Sequence, residues 1–267
     1  MQRTTRAISA FASAAALGCL LIGTGTKASP MVTIDFDRPI FGDISGGRPE
    51  RAVTGQGYDN VHIAFGHNTA HVAAGRFTGT ASNVQGVDAR IFVDGVERVF
   101  MYCYDLLQAI SGGKQVEYAI DFSQLVDRTR AFIDAVNRTL NTVDKGKQGY
   151  DPYAWVRPGT TAQSAAIQLG LWESKYETPD DSLWDLGDGR FQVTNGLNDA
   201  TSKAFDDFHK KIVKDQLIDT DQTMMFRNDT YQDMITADPP GTVPAPATLG
   251  LFAAGLAALL RARRRRG

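Results

Sequence analysis

Residues 115–140 read Gln115-Val-Glu-Tyr-Ala-Ile-Asp-Phe-Ser-Gln-Leu-Val-Asp-Arg-Thr-Arg-Ala-Phe-Ile-Asp-Ala-Val-Asn-Arg-Thr-Leu140, and the periodicity of the chain changes inside this stretch. Gln115 to Ile120 has the pattern of a strand. From Leu125 onward, Val126, Thr129, Phe132, Ile133, Val136 and Leu140 recur at helical spacing, with Asp121 and Ser123 as candidate caps. Upstream of the change the signals are of strands. Val32 to Phe36, the alternating Val61 to Phe65 and Gly75 to Thr80 are punctuated by glycines and Pro49. Arg90 to Val93, Asp94-Gly95 and Val96 to Tyr104 predict a hairpin, because Asp-Gly suits a two-residue turn. Downstream, a helix starts near Thr160-Thr161 after Pro158-Gly159 and runs to about Tyr176. A third covers Asn198 to Leu217, with Leu197, Phe205, Phe208, Ile212 and Val213 inward. Phe191 to Thr194 and Thr223 to Arg227 read as strands that close the sheet. The expected class is α+β: a β-rich, sandwich- or barrel-like N-terminal half with a helical subdomain packed on it.

The two ends of the chain differ from this middle. Arg3 and Arg6 precede the mostly apolar stretch Ala7 to Ile22, and Thr26-Lys27-Ala28 fits a cleavage site, so residues 1–28 read as a secretory signal. Ala16-Leu-Gly-Cys19 is a poor lipidation motif, since a large aliphatic residue is expected at Ala16. At the other end, a Pro-rich linker over 236–246 leads to a second hydrophobic helix over 247–260 and then to Arg261 and Arg263 to Arg266. Fourteen apolar or small residues at 1.5 Å each would span about 21 Å, and the arginines favour a cytoplasmic face. This tail resembles the PEP-CTERM sorting signal of Gram-negative bacteria, with Val243, Pro244 and Pro246 at the motif, Ala245 in place of the usual Glu, and Arg261, Arg263, Arg264, Arg265 and Arg266 as the basic stop. The resemblance implies an exosortase-type processing enzyme as a partner, transient anchoring in the inner membrane by the C-terminal helix, and release to the cell surface or extracellular matrix.

The formal net charge of −2 conceals the charge of the domain between these segments. Without Arg3, Arg6, Lys27 and the five tail arginines, 20 basic residues face 30 acidic ones. Such a surface repels phosphates, which excludes nucleic acid as a partner. Removal of the signal also removes Cys19, leaving Cys103 alone in an exported domain over 29–235. A single cysteine there is an intermolecular link, a buried thiol or a reactive group.

Cys103 ends an aromatic-rich strand, with Val99, Met101 and Cys103 on one face and Phe100, Tyr102 and Tyr104 on the other. The helix Ala162 to Tyr176 stacks Gln168, Trp172 and Tyr176 on one face, and a carboxamide amid Ile167, Leu169 and Leu171 must find hydrogen-bond partners. Tyr102-Cys103-Tyr104-Asp105-Leu106 followed by Gln168-Leu-Gly-Leu-Trp172-Glu173 resembles bacterial thioester domains. Thr230-Tyr-Gln-Asp-Met-Ile235 is similar to the closing strand of exported proteins that carry one. Gly170 stands where the pattern usually has Ala. The resemblance implies an intramolecular thioester between Cys103 and Gln168, with Tyr102, Tyr104 and Trp172 limiting water access. It also implies covalent attachment to an amine or hydroxyl group of a surface polysaccharide or protein. That chemistry is stoichiometric, so the chain is not read as an enzyme. A non-covalent structural or carbohydrate-binding module associated with exopolysaccharide is the alternative.

Other constellations are weaker. His62, His67 and His71 straddle a strand and a turn, Asp180-Asp181 with Asp185 and Asp188 lack a full calcium-loop pattern, and Cys103 with His209 lacks a third orienting residue. Neither a metal nor a cofactor is expected.

Overall fold

The computed structural model describes residues 30–41, 58–86, 98–122, 125–177, 184–213, 215–219 and 223–237. The signal and the sorting tail, each with the hydrophobic helix expected there, the linker beyond residue 237, Ser123, and the 90–95 half of the expected hairpin lie outside these residues. No described helix is long and apolar enough to cross a membrane.

Six antiparallel strands close into a barrel: β1 (Met31–Phe41), β4 (Phe77–Gln85), β5 (Arg98–Cys103), β9 (Met234–Thr236), β8 (Met224–Arg227) and β6 (Gln115–Asp121), in that spatial order. The barrel is therefore not a product of the N-terminal half alone. Its last two strands come from the far end of the domain and fill the gap between β5 and β6. Two N-terminal strands, β2 (Tyr58–Phe65) and β3 (Asn68–Gly75), stand outside it and form a second sheet with β7 (Phe191–Asn195), in the order β3-β2-β7.

Alternation along the strands builds the barrel interior. Ile34 of β1 lies opposite Ala81 and Val116, Phe36 opposite Gly79, and Val32 opposite Tyr118. On the closing side, Ile120 pairs with Phe226, Phe226 with Met234, and Met234 with Cys103. Cys103 thus belongs to a layer of interior side chains that exists only once β8 and β9 have docked.

Three helices pack beside the barrel: α1 (Asp127–Leu140), α2 (Thr161–Tyr176) and α3 (Asp199–His209). Helix α1 starts without a side-chain cap. Asp121, the expected cap, is the last residue of β6 and faces Arg227 at 3.7 Å. Asn198 does cap α3, accepting from Thr201 N at 2.8 Å, but the helix ends at His209 rather than Leu217, and Val213 is exposed. Helix α2 begins where the Pro-Gly signal predicts, with the Thr160 hydroxyl accepting from Gln163 N at 3.1 Å. Every residue from Ser164 to Ser174 is buried, because barrel, second sheet, α1 and α3 enclose it on all sides.

That enclosure explains Gly170. A Cβ there would fall 2.0 Å from Phe132 Cζ of α1, so the glycine makes the notch into which the ring packs. Phe132 in turn meets Trp184, Phe205 and Phe208, with ring centroids 5.4, 6.3 and 6.3 Å away. Helix propensity favours Ala by about 1 kcal/mol, and the steric term opposes it. Gly170→Ala is expected to lower the unfolding free energy by about 1–3 kcal/mol in urea denaturation. A gain in stability would show that propensity outweighs the packing.

Candidate functional site

Beyond β5 the chain leaves the barrel through Cys103-Tyr104-Asp105-Leu106, a segment held by α2 on one side and residues 232–233 on the other. Gln168 grips its first residue through both backbone groups: its Oε1 accepts from Cys103 N at 2.9 Å, and its Nε2 donates to Cys103 O at 2.7 Å. Both residues are fully buried, so each bond removes a backbone group that would otherwise lack a partner. Further along α2, Lys175 Nζ donates to Tyr104 O at 2.8 Å, and Tyr176 OH accepts from Leu106 N at 2.9 Å and donates to Asp105 Oδ1 at 3.2 Å. From the other side, Tyr104 N donates to Asp233 O at 2.8 Å.

The carboxamide in contact with the thiol is that of Gln232. Its Nε2 meets Cys103 Sγ directly and donates to Asp105 O at 2.7 Å. Sγ also donates to Asp105 O at 2.9 Å. Gln232 is fixed through its backbone as well, since the Tyr118 hydroxyl donates to Gln232 O at 3.1 Å. Gln168 is therefore adjacent to Cys103 but faces its peptide groups, whereas Gln232, 129 positions downstream, faces its sulfur. In the sequence Gln232 sits between Tyr231 and Asp233 at the end of the polar stretch Asn228-Asp-Thr230, so nothing sets it apart as the apolar neighbours of Gln168 do. Its pairing with Cys103 depends on barrel closure, which no local pattern encodes.

The other expected site residues surround this pair. Tyr102 points away from the barrel interior, stacks on Trp155 with centroids 5.8 Å apart, and donates to Trp155 O at 3.3 Å. The Tyr104 hydroxyl lies 3.3 Å from Thr129 Oγ1. Trp172 is buried, one turn beyond Gln168 and against Phe191. Burial pushes the Cys103 thiol well above its ordinary range, and the Trp172 indole is the largest influence in the other direction. Burial also lowers the Lys175 ammonium, while Asp105 and Asp233 raise it. The site stores its sulfur as a neutral thiol.

Two carboxylates at the end of α2 shape the surroundings. Glu177 Oε2 accepts from Arg190 N at 2.7 Å and Phe191 N at 3.1 Å, fixing the start of β7. Glu173 Oε1 accepts from Trp184 N at 2.8 Å, but Oε2 has no hydrogen-bond partner among the described residues. Burial, with the nearby Glu177 charge adding to it, raises Glu173 to about 8.

The weaker constellations do not assemble. His62 and His71 are cross-strand partners with rings stacked at 4.4 Å, while His67 lies in the turn beyond the last pair of that hairpin. No group of three metal-binding side chains occurs among the described residues. Asp185 and Asp188 accept from Gly187 N and Gly189 N and serve their own turn; Asp180 and Asp181 lie outside the described residues. His209 packs against Phe205 and lies 3.9 Å from Asp206, and none of the contacts of Cys103 reaches it.

Residues 242–266 match the PEP-CTERM protein-sorting motif. The match marks an exported protein whose membrane-anchored tail is recognised by an exosortase before processing. No curated protein and no solved structure matches the chain.

Two stability effects follow from these contacts. Gln168→Ala leaves the Cys103 N–H and C=O buried without partners, and is expected to cost about 2–5 kcal/mol of unfolding free energy. A loss below about 1 kcal/mol would mean that water or another side chain replaces the carboxamide. For Glu173 the folded-state value lies above the ordinary 4.5, so the stability it contributes is fully present below pH 4.5 and is lost as pH rises through about 8. Glu173→Gln is expected to flatten the decline of Tm across that window and to raise Tm at pH 8; an unchanged slope would contradict the assignment.

Proposed function

We propose that this exported protein forms an internal thioester between Cys103 and Gln232 and uses it to attach covalently to an amine or hydroxyl group at the cell surface or in the extracellular matrix. The observation that carries the reading is the contact between Gln232 Nε2 and Cys103 Sγ, both residues being buried. The acyl carbon of Gln232 is one bond from that nitrogen. In the proposed step the Sγ–Cδ bond forms, the Cδ–Nε2 bond breaks, and the thiol proton leaves with the nitrogen as ammonia. The acyl group moves from the Gln168 expected on sequence grounds to Gln232, and Gln168 becomes the clamp that holds the Cys103 backbone still. An incoming amine then bonds to the Gln232 carbonyl carbon, and Cys103 regains its proton.

Burial supports this assignment as well. A thioester excluded from water hydrolyses slowly, and a fully buried sulfur beside a carboxamide is protected until a nucleophile reaches it. The competing reading, a non-covalent structural or carbohydrate-binding module, draws on the same enclosure: a buried thiol raised by desolvation is also an inert core residue. Intact mass separates them. The thioester reading predicts purified protein lighter by one ammonia, and, after methylamine adds at Gln232, heavier than the unmodified chain by one CH2. Gln232→Ala and Cys103→Ala should each abolish the loss. An unmodified mass together with a titratable thiol in the denatured protein would favour the non-covalent module.

A further inference from the structure

Among the described residues, the indole nitrogen of Trp172 is enclosed and has no hydrogen-bond partner. A buried N–H without an acceptor costs about 1–3 kcal/mol, so the position calls for an explanation beyond filling space. Its place on α2 supplies one. Gln168, one turn earlier, binds the backbone of Cys103, and Lys175, just under one turn later, binds Tyr104 O. Trp172 lies between these anchors on the same stripe of the helix, the stripe that faces the Cys103-Tyr104 segment. The influence of the indole on the thiol agrees with that placement.

The sulfur also changes partners when it reacts. Before reaction it is in contact with Gln232 Nε2. Thioester formation expels that nitrogen as ammonia, so the sulfur loses a donor at the step where it needs one most. We propose that the Trp172 indole N–H is the donor that stabilises negative charge on the Cys103 sulfur whenever the Gln232 acyl bond forms or opens. During formation, charge develops on Sγ as its proton departs with the leaving ammonia. During opening by an amine, the N–Cδ bond forms, the Sγ–Cδ bond breaks, and the sulfur leaves as a thiolate that takes up the proton the amine nitrogen gives up. No oxidant or reductant enters either step. A hydrogen bond to a charged acceptor is stronger than one to a neutral thiol, which makes the indole more useful in the transition state than at rest.

The catalytic part of this inference rests on the Cys103–Gln232 thioester; the contact between indole and sulfur does not. The chain has three tryptophans, so the indole N–H region of a ¹H–¹⁵N spectrum holds three signals, and Trp172→Phe identifies one of them. In the otherwise native protein, Cys103→Ala should shift the Trp172 signal and leave those of Trp155 and Trp184 in place. A Trp172 signal unmoved by loss of the sulfur would overturn the contact, without any need for the tryptophan variant to fold. The second arm is kinetic. If the indole donates to the leaving sulfur, Trp172→Phe should slow methylamine capture about tenfold, with the slowing greatest for weakly basic amines. A ring that only excludes water predicts faster hydrolysis and unchanged or faster capture, and that result would overturn the donor role. Wild-type protein at unmodified mass would instead sink the thioester, while the spectrum would still decide the contact.

Discussion

The two hydrogen bonds between the Gln168 side chain and the backbone of Cys103 are the constraint on which the arrangement depends. They tie the end of a barrel strand to the middle of a fully buried helix, and they take up both peptide groups of the residue that carries the thiol. With the backbone fixed, the sulfur lies against Asp105 O, and barrel closure brings Gln232 to it. The remaining contacts extend the same logic along the chain, as Lys175, Tyr176 and Asp233 hold the next three residues in place. The site is therefore assembled from three parts of the sequence by tertiary structure, and none of the three forms it locally.

What the sequence reveals and what it hides follow from this. Local signals locate β6, α1 and α2 because each is decided by side-chain period and by turn residues within the element itself. Gln168 stands out as an amide in an apolar helix, and the structure places it against Cys103. Its precise target is not legible, since peptide groups carry no sequence signature. Gln232 is hidden for a different reason. Strand β9 is three residues long, and its partners β5 and β8 are specified by closure of the sheet. The over-long α3 has a local cause of error: Ile212 and Val213 continue the apolar spacing past the point where the helix stops. Gly170 reads as a weak point by propensity, and only the position of Phe132 reveals it as a packing feature.

The domain keeps the Cys103 thiol away from solvent. Cys103 sits in an interior layer with Met234, Phe226 and Ile120, beside a helix with no exposed residue between Ser164 and Ser174. Desolvation opposes the thiolate there, so reactivity must come from fixed neighbours rather than from solvent. The sorting motif at residues 242–266 marks an exported protein, and outside the cytoplasm a free cysteine has no reducing pool to protect it. The proposed thioester would protect the sulfur by bonding it to a carboxamide of the same chain, and would leave an activated acyl group.

The most direct test of that bond is peptide mapping at mildly acidic pH, where thioesters survive digestion. The account predicts a cross-linked species joining the peptide that contains Cys103 to the peptide that contains Gln232, and its disappearance after methylamine treatment. A free Cys103 peptide, or a link from Cys103 to the Gln168 peptide, would contradict it.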